Sequence, residues 1–258
     1  MPDEQAIYFH GAPGGPAELG LFGPPPAGLH APDRFLDRPD LPLDRYLDVL
    51  ANELDARFAG APLRLIGFSL GARIALEAAL RLGGRVSAIE LIAPAAPLQL
   101  GDFLPRMEGR AVFALARDTP ALFGAVVWLQ GVACALFPER MFRLVFAHPA
   151  GGDVALAADP AFAAAITALL RRSLGPGARG YSREVRAFTR PWDDILPRIT
   201  APVRIWHGAA DNWTPPDMAA ALVIALPGAT AAHALEGLSH YSTLGRALRA
   251  FGAGRGLS

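Results

Sequence analysis

Lysine is absent from this chain of 258 residues: its 24 basic side chains are all arginine, set against 24 acidic ones. The overall balance gives no electrostatic case for nucleic acid or an anionic membrane surface as partner. With so much Ala, Gly and Pro, the arginine-only set reads as a GC-rich coding bias rather than a functional feature. Cysteine is nearly absent too. Cys134 stands alone, which excludes an internal disulfide. The opening "MPDEQAIYFHG" lacks the basic and apolar regions of a secretory signal, so a reducing cytoplasm is the default expectation. There is no internal repeat and no low-complexity linker. Long apolar runs are scarce. "ALFGAVVWLQGVACALF", residues 121–137, is uncharged for 17 residues, the lower edge of what spans a bilayer. Gln130, two glycines and the framing "RDTP" and "PER" favour a buried or cleft-facing helix. No integral span is expected, and peripheral membrane contact stays open.

What is present is an alternation of strands and helices. Hydrophobic residues make up 52% of the chain, enough for a sizeable core. Residues 6–10, 63–68, 86–93, 202–208 and 230–236 read as strands, with 28–32 as a weaker sixth. Residues 43–58 place Leu43, Leu47, Leu50, Leu54 and Phe58 on one helical face. Residues 72–82, 217–226 and 241–251 are further helices. This order predicts an α/β fold with a mostly parallel sheet covered by helices. The alternation breaks between 97 and 190, where only helical patterns appear. The expected organisation is therefore a core of 1–96 and 191–258, with an all-helical cap over 97–190 inserted after the strand at 86–93. Such an insert would roof the carboxyl edge of the sheet, where ligands bind in open α/β sheets.

The chemistry concentrates in four places. "GFSLG" (67–71) sits between a strand and a helix, as a G-x-S-x-G nucleophile elbow does. The turn would expose the Ser69 hydroxyl and aim the Leu70 N–H at a developing oxyanion. The bland alternative is a βα turn with an N-capping serine. A serine hydroxyl needs a base, and the base an orienting acid. Of the six histidines, His240 in "EGLSHYSTL" follows the last strand and opens the last helix, which makes it the base candidate. His233 reads as core, His207 lies within a strand, and His30 and His148 have no visible partner. Asp211 in "WHGAADNWTPP" follows a strand; as a turn former it would have no catalytic role. The order Ser69, Asp211, His240 favours the acid. "YFHGAPGG" (8–15) supplies a flexible turn able to present the Ala12 N–H beside that of Leu70, with His10 in support.

Taken together, "HGAPGG" (10–15), "APDRF" (31–35), "GFSLG" (67–71), "WHGAADNWTP" (206–215) and "LSHYS" (238–242) make the chain resemble the α/β-hydrolase superfamily, in its helical-cap branch. The pieces are collinear across residues 6–251. The resemblance implies an eight-stranded fold, shortened here because strands before "AIYFH" are missing or vestigial. It implies Ser69 as nucleophile, Asp211 as acid, His240 as base, and Ala12 and Leu70 as oxyanion-hole donors. Two departures stand out: the proline-rich loop at 16–30, and Ala72 where many members carry a further glycine. Serine at the nucleophile position argues against the dehalogenase and epoxide-hydrolase branches, which need a carboxylate there.

The substrate is less legible. Apolar side chains of the insert, Phe123 and Trp128 among them, favour an apolar acyl or alcohol group, and Trp213 in "DNW" is a candidate for stacking on it. The same side chains would serve equally to pack helices. No metal-ligand cluster or phosphate loop is visible, so no cofactor is implied. The expected activity is a carboxylesterase-like serine hydrolase acting on a small molecule. A thioesterase, lactonase, peptidase or carbon–carbon bond hydrolase shares the same triad. An acyltransferase and a non-hydrolytic binder are readings of another class, and the oligomeric state stays open.

Overall fold

The computed structural model describes residues 3–252. Among the described residues six strands form one sheet: β1 (Gln5–Phe9), β2 (Leu29–His30), β3 (Leu63–Phe68), β4 (Val86–Ile92), β5 (Val203–Gly208) and β6 (Ala229–Leu235). Their order is β2-β1-β3-β4-β5-β6, and every pairing is parallel. β3 lies inside the sheet, paired through Leu65 to Ile7 on one side and to Ile89 on the other. Its sequence LRLIGF is apolar at nearly every position because both faces of an inner parallel strand are covered.

Four helices belong to the sheet: α1 (Leu43–Arg57), α2 (Gly71–Leu82), α9 (Pro216–Ala225) and α10 (His240–Gly252). α1 buries Tyr46, Leu47, Leu50 and Leu54 and packs on α2. α2 packs on β3 and β4 through a face of small residues, Ala72, Ala75, Ala78 and Ala79. α9 packs on β5 and β6, and α10 on β4 and β5. Between β4 and β5 run six helices: α3 (Arg110–Asp118), α4 (Pro120–Leu136), α5 (Pro138–Val145), α6 (Asp153–Ala158), α7 (Pro160–Leu174) and α8 (Ala178–Phe188). α4 begins at Pro120, whose missing N–H costs nothing in the first turn. At about 1.5 Å per residue its 17 residues run roughly 25 Å. Among the described residues no helix is long and apolar enough to cross a membrane.

Several details differ from the sequence reading. The strand expected over 28–32 is a two-residue edge strand. Residues 98–100 and 104–106 are single 3-10 turns, so the first α-helix of the 97–190 stretch starts only at Arg110. His233 is not in the core: β6 is an edge strand, and His233 is exposed there, stacked on Trp206 with ring centroids 4.2 Å apart.

Candidate active site

The turn from β3 into α2 carries Ser69 in the left-handed region, with φ of +55°. A non-glycine residue there is strained, and the surroundings hold it: the Ser69 N–H donates to Ile92 O (3.0 Å), while its carbonyl accepts from Ala72 N and Ala95 N. The flanking glycines are obligatory for packing. A Cβ on Gly67 would lie 2.6 Å from Ala72 Cα, and one on Gly71 would lie 2.2 Å from Phe9 O. Strand, turn and helix therefore meet at backbone contact, and the serine side chain is what remains pointing outward.

The loop after β5 holds Asp211, which is 4% exposed. Its Oδ1 accepts from the N–H of Trp213 (2.8 Å) and of Thr214 (3.0 Å). Its Oδ2 accepts from Thr214 Oγ1 (3.1 Å) and from His240 Nδ1 (2.9 Å). Burial alone would raise this carboxyl. The facing His240 and its hydrogen bond outweigh it, with help from His207 and the Thr214 N–H, and hold the pKa below the usual aspartate value. An ionised acceptor at Nδ1 means that Nδ1 carries the proton, which leaves Nε2 of His240 as the basic nitrogen. The imidazole is wedged between Phe68 (centroids 4.7 Å) and Trp213 (5.6 Å, nearly parallel), so its plane is set by packing as well as by Asp211.

A cavity of about 310 Å³ lies between this edge and the inserted helices. Ser69, Leu70, Ala12, Trp213 and Thr214 form its floor, and residues of α3, α4, α5, α7 and α8 complete it, among them Val112, Gln130, Met141, Leu170 and Tyr181. Its volume is at the low end of small-molecule sites. The structure thus brings Ser69, Leu70, Ala12 and Trp213 to one cavity and pairs Asp211 with His240. It places the other two pocket candidates elsewhere. Phe123 is fully buried beneath the Arg186 guanidinium, and Trp128 is 66% exposed on the outer face of α4. Among the described residues no group of three His, Cys, Asp or Glu side chains could hold a metal ion.

A family model described as the alpha/beta hydrolase family matches residues 6–252. This chain belongs to the alpha/beta hydrolase family. Solved structures agree on the fold. A bromoperoxidase from Bacillus anthracis aligns at 15% identity and TM-score 0.67, covering 98% of this chain and 90% of its own. A serine hydrolase from Cycloclasticus zankles aligns at 16% identity and TM-score 0.61 over 98% and 90%. An esterase from Exiguobacterium antarcticum aligns at 17% identity and TM-score 0.56 over 96% and 92%. A search of curated proteins finds no match to this sequence.

In this alpha/beta hydrolase, buried polar residues that the sequence did not single out support the loops of the site. Glu18 is fully buried behind the turn at 11–14. It accepts from Tyr8 Oη (2.7 Å) and from the Gly11 N–H (3.0 Å). Burial pushes its carboxyl up to about 7, against the pull of Tyr8, Gly11 and Arg34. Gly14 leaves room for it, since a Cβ there would fall 2.0 Å from Glu18 Oε1. Arg34 is fully buried as well. It forms a bidentate pair with Glu184 of α8 (2.8 and 3.1 Å) and donates to His10 O (2.8 Å). Burial, with Arg34 adding to it, drives the His10 imidazole well below its usual pKa, and its Nδ1 donates to Gly11 O (2.8 Å). Asp153 of α6 accepts from the N–H groups of Tyr241 (2.9 Å) and Ser242 (2.7 Å), capping the helix that begins at His240. Arg34 falls in the APDRF piece, whereas no local pattern marks Glu18 or Asp153 themselves.

Proposed function

We propose that the chain is a serine hydrolase that cleaves a carboxylic ester with an apolar acyl or alcohol group of small or medium size, through an acyl-enzyme intermediate. The observation that carries this reading is Ser69 held at φ +55° on the floor of a mainly apolar cavity, at the sheet edge where Asp211 is bonded to His240 Nδ1. Ser69 Oγ attacks the ester carbonyl carbon as its proton passes to His240 Nε2. Asp211 keeps the tautomer and stabilises the imidazolium. The N–H groups of Ala12 and Leu70 take the developing oxyanion. Collapse of that intermediate breaks the bond to the alcohol, which leaves with the proton from His240. Water, deprotonated by His240, then attacks the acyl-enzyme, and the acid departs as Ser69 regains its proton. Residues 97–190 act as the cap that sizes the substrate.

The test is release of p-nitrophenol from esters of increasing acyl length, with Ser69→Ala alongside. Turnover by the wild type, strongest for short to medium chains and lost in the variant, supports the reading. Equal turnover by both proteins overturns it. A wild type inert on esters but active on thioesters, lactones or carbon–carbon substrates, again dependent on Ser69, moves the assignment to another bond with the same machinery.

A further inference from the structure

Seven of the nine large hydrophobic side chains exposed among the described residues fall within residues 122–144, leaving only Val154 and Ile224 elsewhere. On α4 the inner side is filled by Phe123, Val127 and Cys134, all buried. The outer side presents Leu122, Trp128, Leu129 and Leu136, each more than half exposed, and Phe137 and Leu144 extend the face onto α5. No charged residue interrupts it between Asp118 and Glu139. A contiguous apolar face of this kind marks an interaction surface.

The charge around the face indicates what covers it. Arg140 lies 5.4 Å from the Phe137 ring and Arg143 is exposed beside Leu144; among the described residues neither has a carboxylate partner. On the other flank Trp128 and Val132 open into a groove of about 900 Å³ that Arg179, Arg183 and Arg186 also line, together with Asp40, the partner of Arg179. Residues 97–190 carry eleven arginines and seven carboxylates, whereas the rest of the chain carries thirteen and seventeen. The neutral total thus hides a basic end, and that end bears the apolar face. Two copies pairing through this face would bring like charges together. An anionic lipid surface satisfies both the hydrocarbon and the arginines. The face also reaches the reaction chamber: Leu144 is 70% exposed and at the same time lines the cavity that holds Ser69.

We infer that the outer face of α4 and α5 docks this protein on an anionic lipid membrane, with Trp128 at the headgroup level and the cavity mouth turned toward the bilayer. The contact is peripheral and independent of the chemistry at Ser69.

Flotation of the full chain with phosphatidylcholine vesicles, and with vesicles that also contain phosphatidylglycerol, tests this. The protein should partition at least about tenfold more strongly onto the anionic vesicles, lose that preference at high salt, and show a blue-shifted emission that Trp128→Phe removes. A Leu129→Glu/Leu136→Glu variant should bind roughly tenfold more weakly or worse, because both side chains leave the apolar phase. Ile224→Glu, at an exposed site outside the face, should bind as wild type does. Ser69→Ala should also bind as wild type, so that loss of ester turnover and loss of docking are read separately. Binding to neither vesicle, or equally to both, overturns the proposal. So does a wild-type dimer in light scattering that the double glutamate variant dissociates, which would assign the face to a second copy of the chain.

Discussion

At the carboxyl edge of the sheet the polar groups are inside: Asp211, His240, Glu18 and Arg34 are all at most 4% exposed, each with bonded partners. On α4 and α5 the apolar groups are outside: Leu129, Leu136 and Leu144 are 56%, 65% and 70% exposed. The first region spends burial on fixing a few polar atoms, as a site that stabilises charge must. The second leaves its apolar atoms free to meet something else. Substitutions in the two regions should therefore differ in kind. Edge variants should lower turnover of every substrate alike, whereas variants of α4 and α5 should reorder substrates.

The largest effect belongs to the edge. Ser69→Ala and Asp211→Asn should each reduce kcat by about four powers of ten or more on every ester tested, with unchanged circular dichroism. A loss confined to some esters would erase the contrast. Next comes Glu18. Its folded pKa of about 7 exceeds the ordinary 4.5, so the folded state holds the proton more tightly. Its contribution is then fully present at low pH and is lost as pH rises from about 4.5 through 7. The linkage amounts to on the order of 3 kcal/mol. Comparing melting temperatures of wild type and Glu18→Gln over that range should show the wild-type advantage shrinking as pH increases. A pH-independent difference would mean that Glu18 is not proton-linked. Asp153→Ala, which leaves two N–H groups of α10 without their acceptor, should cost about 1–2 kcal/mol in urea unfolding. It should also lower kcat for all esters to a similar degree, because α10 begins at His240. The smallest effect is expected on α5. Leu144→Ala should change kcat/KM by no more than about tenfold and move the preferred acyl length upward. A uniform drop across chain lengths would place Leu144 with the edge residues instead.

The same contrast explains what could be read from the chain. Ser69, Asp211 and His240 were visible because each sits in a short local pattern at the end of a strand, and their order along the chain is informative. The inner strands were visible because parallel strands buried on both faces are runs of apolar residues, as in LRLIGF. Glu18 and Asp153 were not visible. Glu18 is held by Tyr8 and Gly11 across a fold of the loop, and Asp153 meets Tyr241 and Ser242 from almost ninety positions away. Trp128 was a pocket candidate because α4 is apolar all round, and such a helix gives no phase from which to tell inside from outside. His233 read as core because its strand carries no sign of lying at an edge; only the strand order reveals that.

The bidentate bond between Arg34 and Glu184 has a mechanical consequence. It ties α8 to the loop after β2, and Asp153 ties α6 to the start of α10. With Ser173 Oγ on Gly14 O (2.6 Å) and Asn212 Nδ2 on His148 O (2.7 Å), the helical insert is pinned at several places, like a deck resting on piers. Raising it as one rigid body would unpair a buried arginine and carboxylate, at a cost of about 3–5 kcal/mol. Widening the cavity for a bulkier guest must instead come from flexure of residues 110–147, the span between Glu108 and His148, which both bond to Asn212; α3, α4 and α5 lie there.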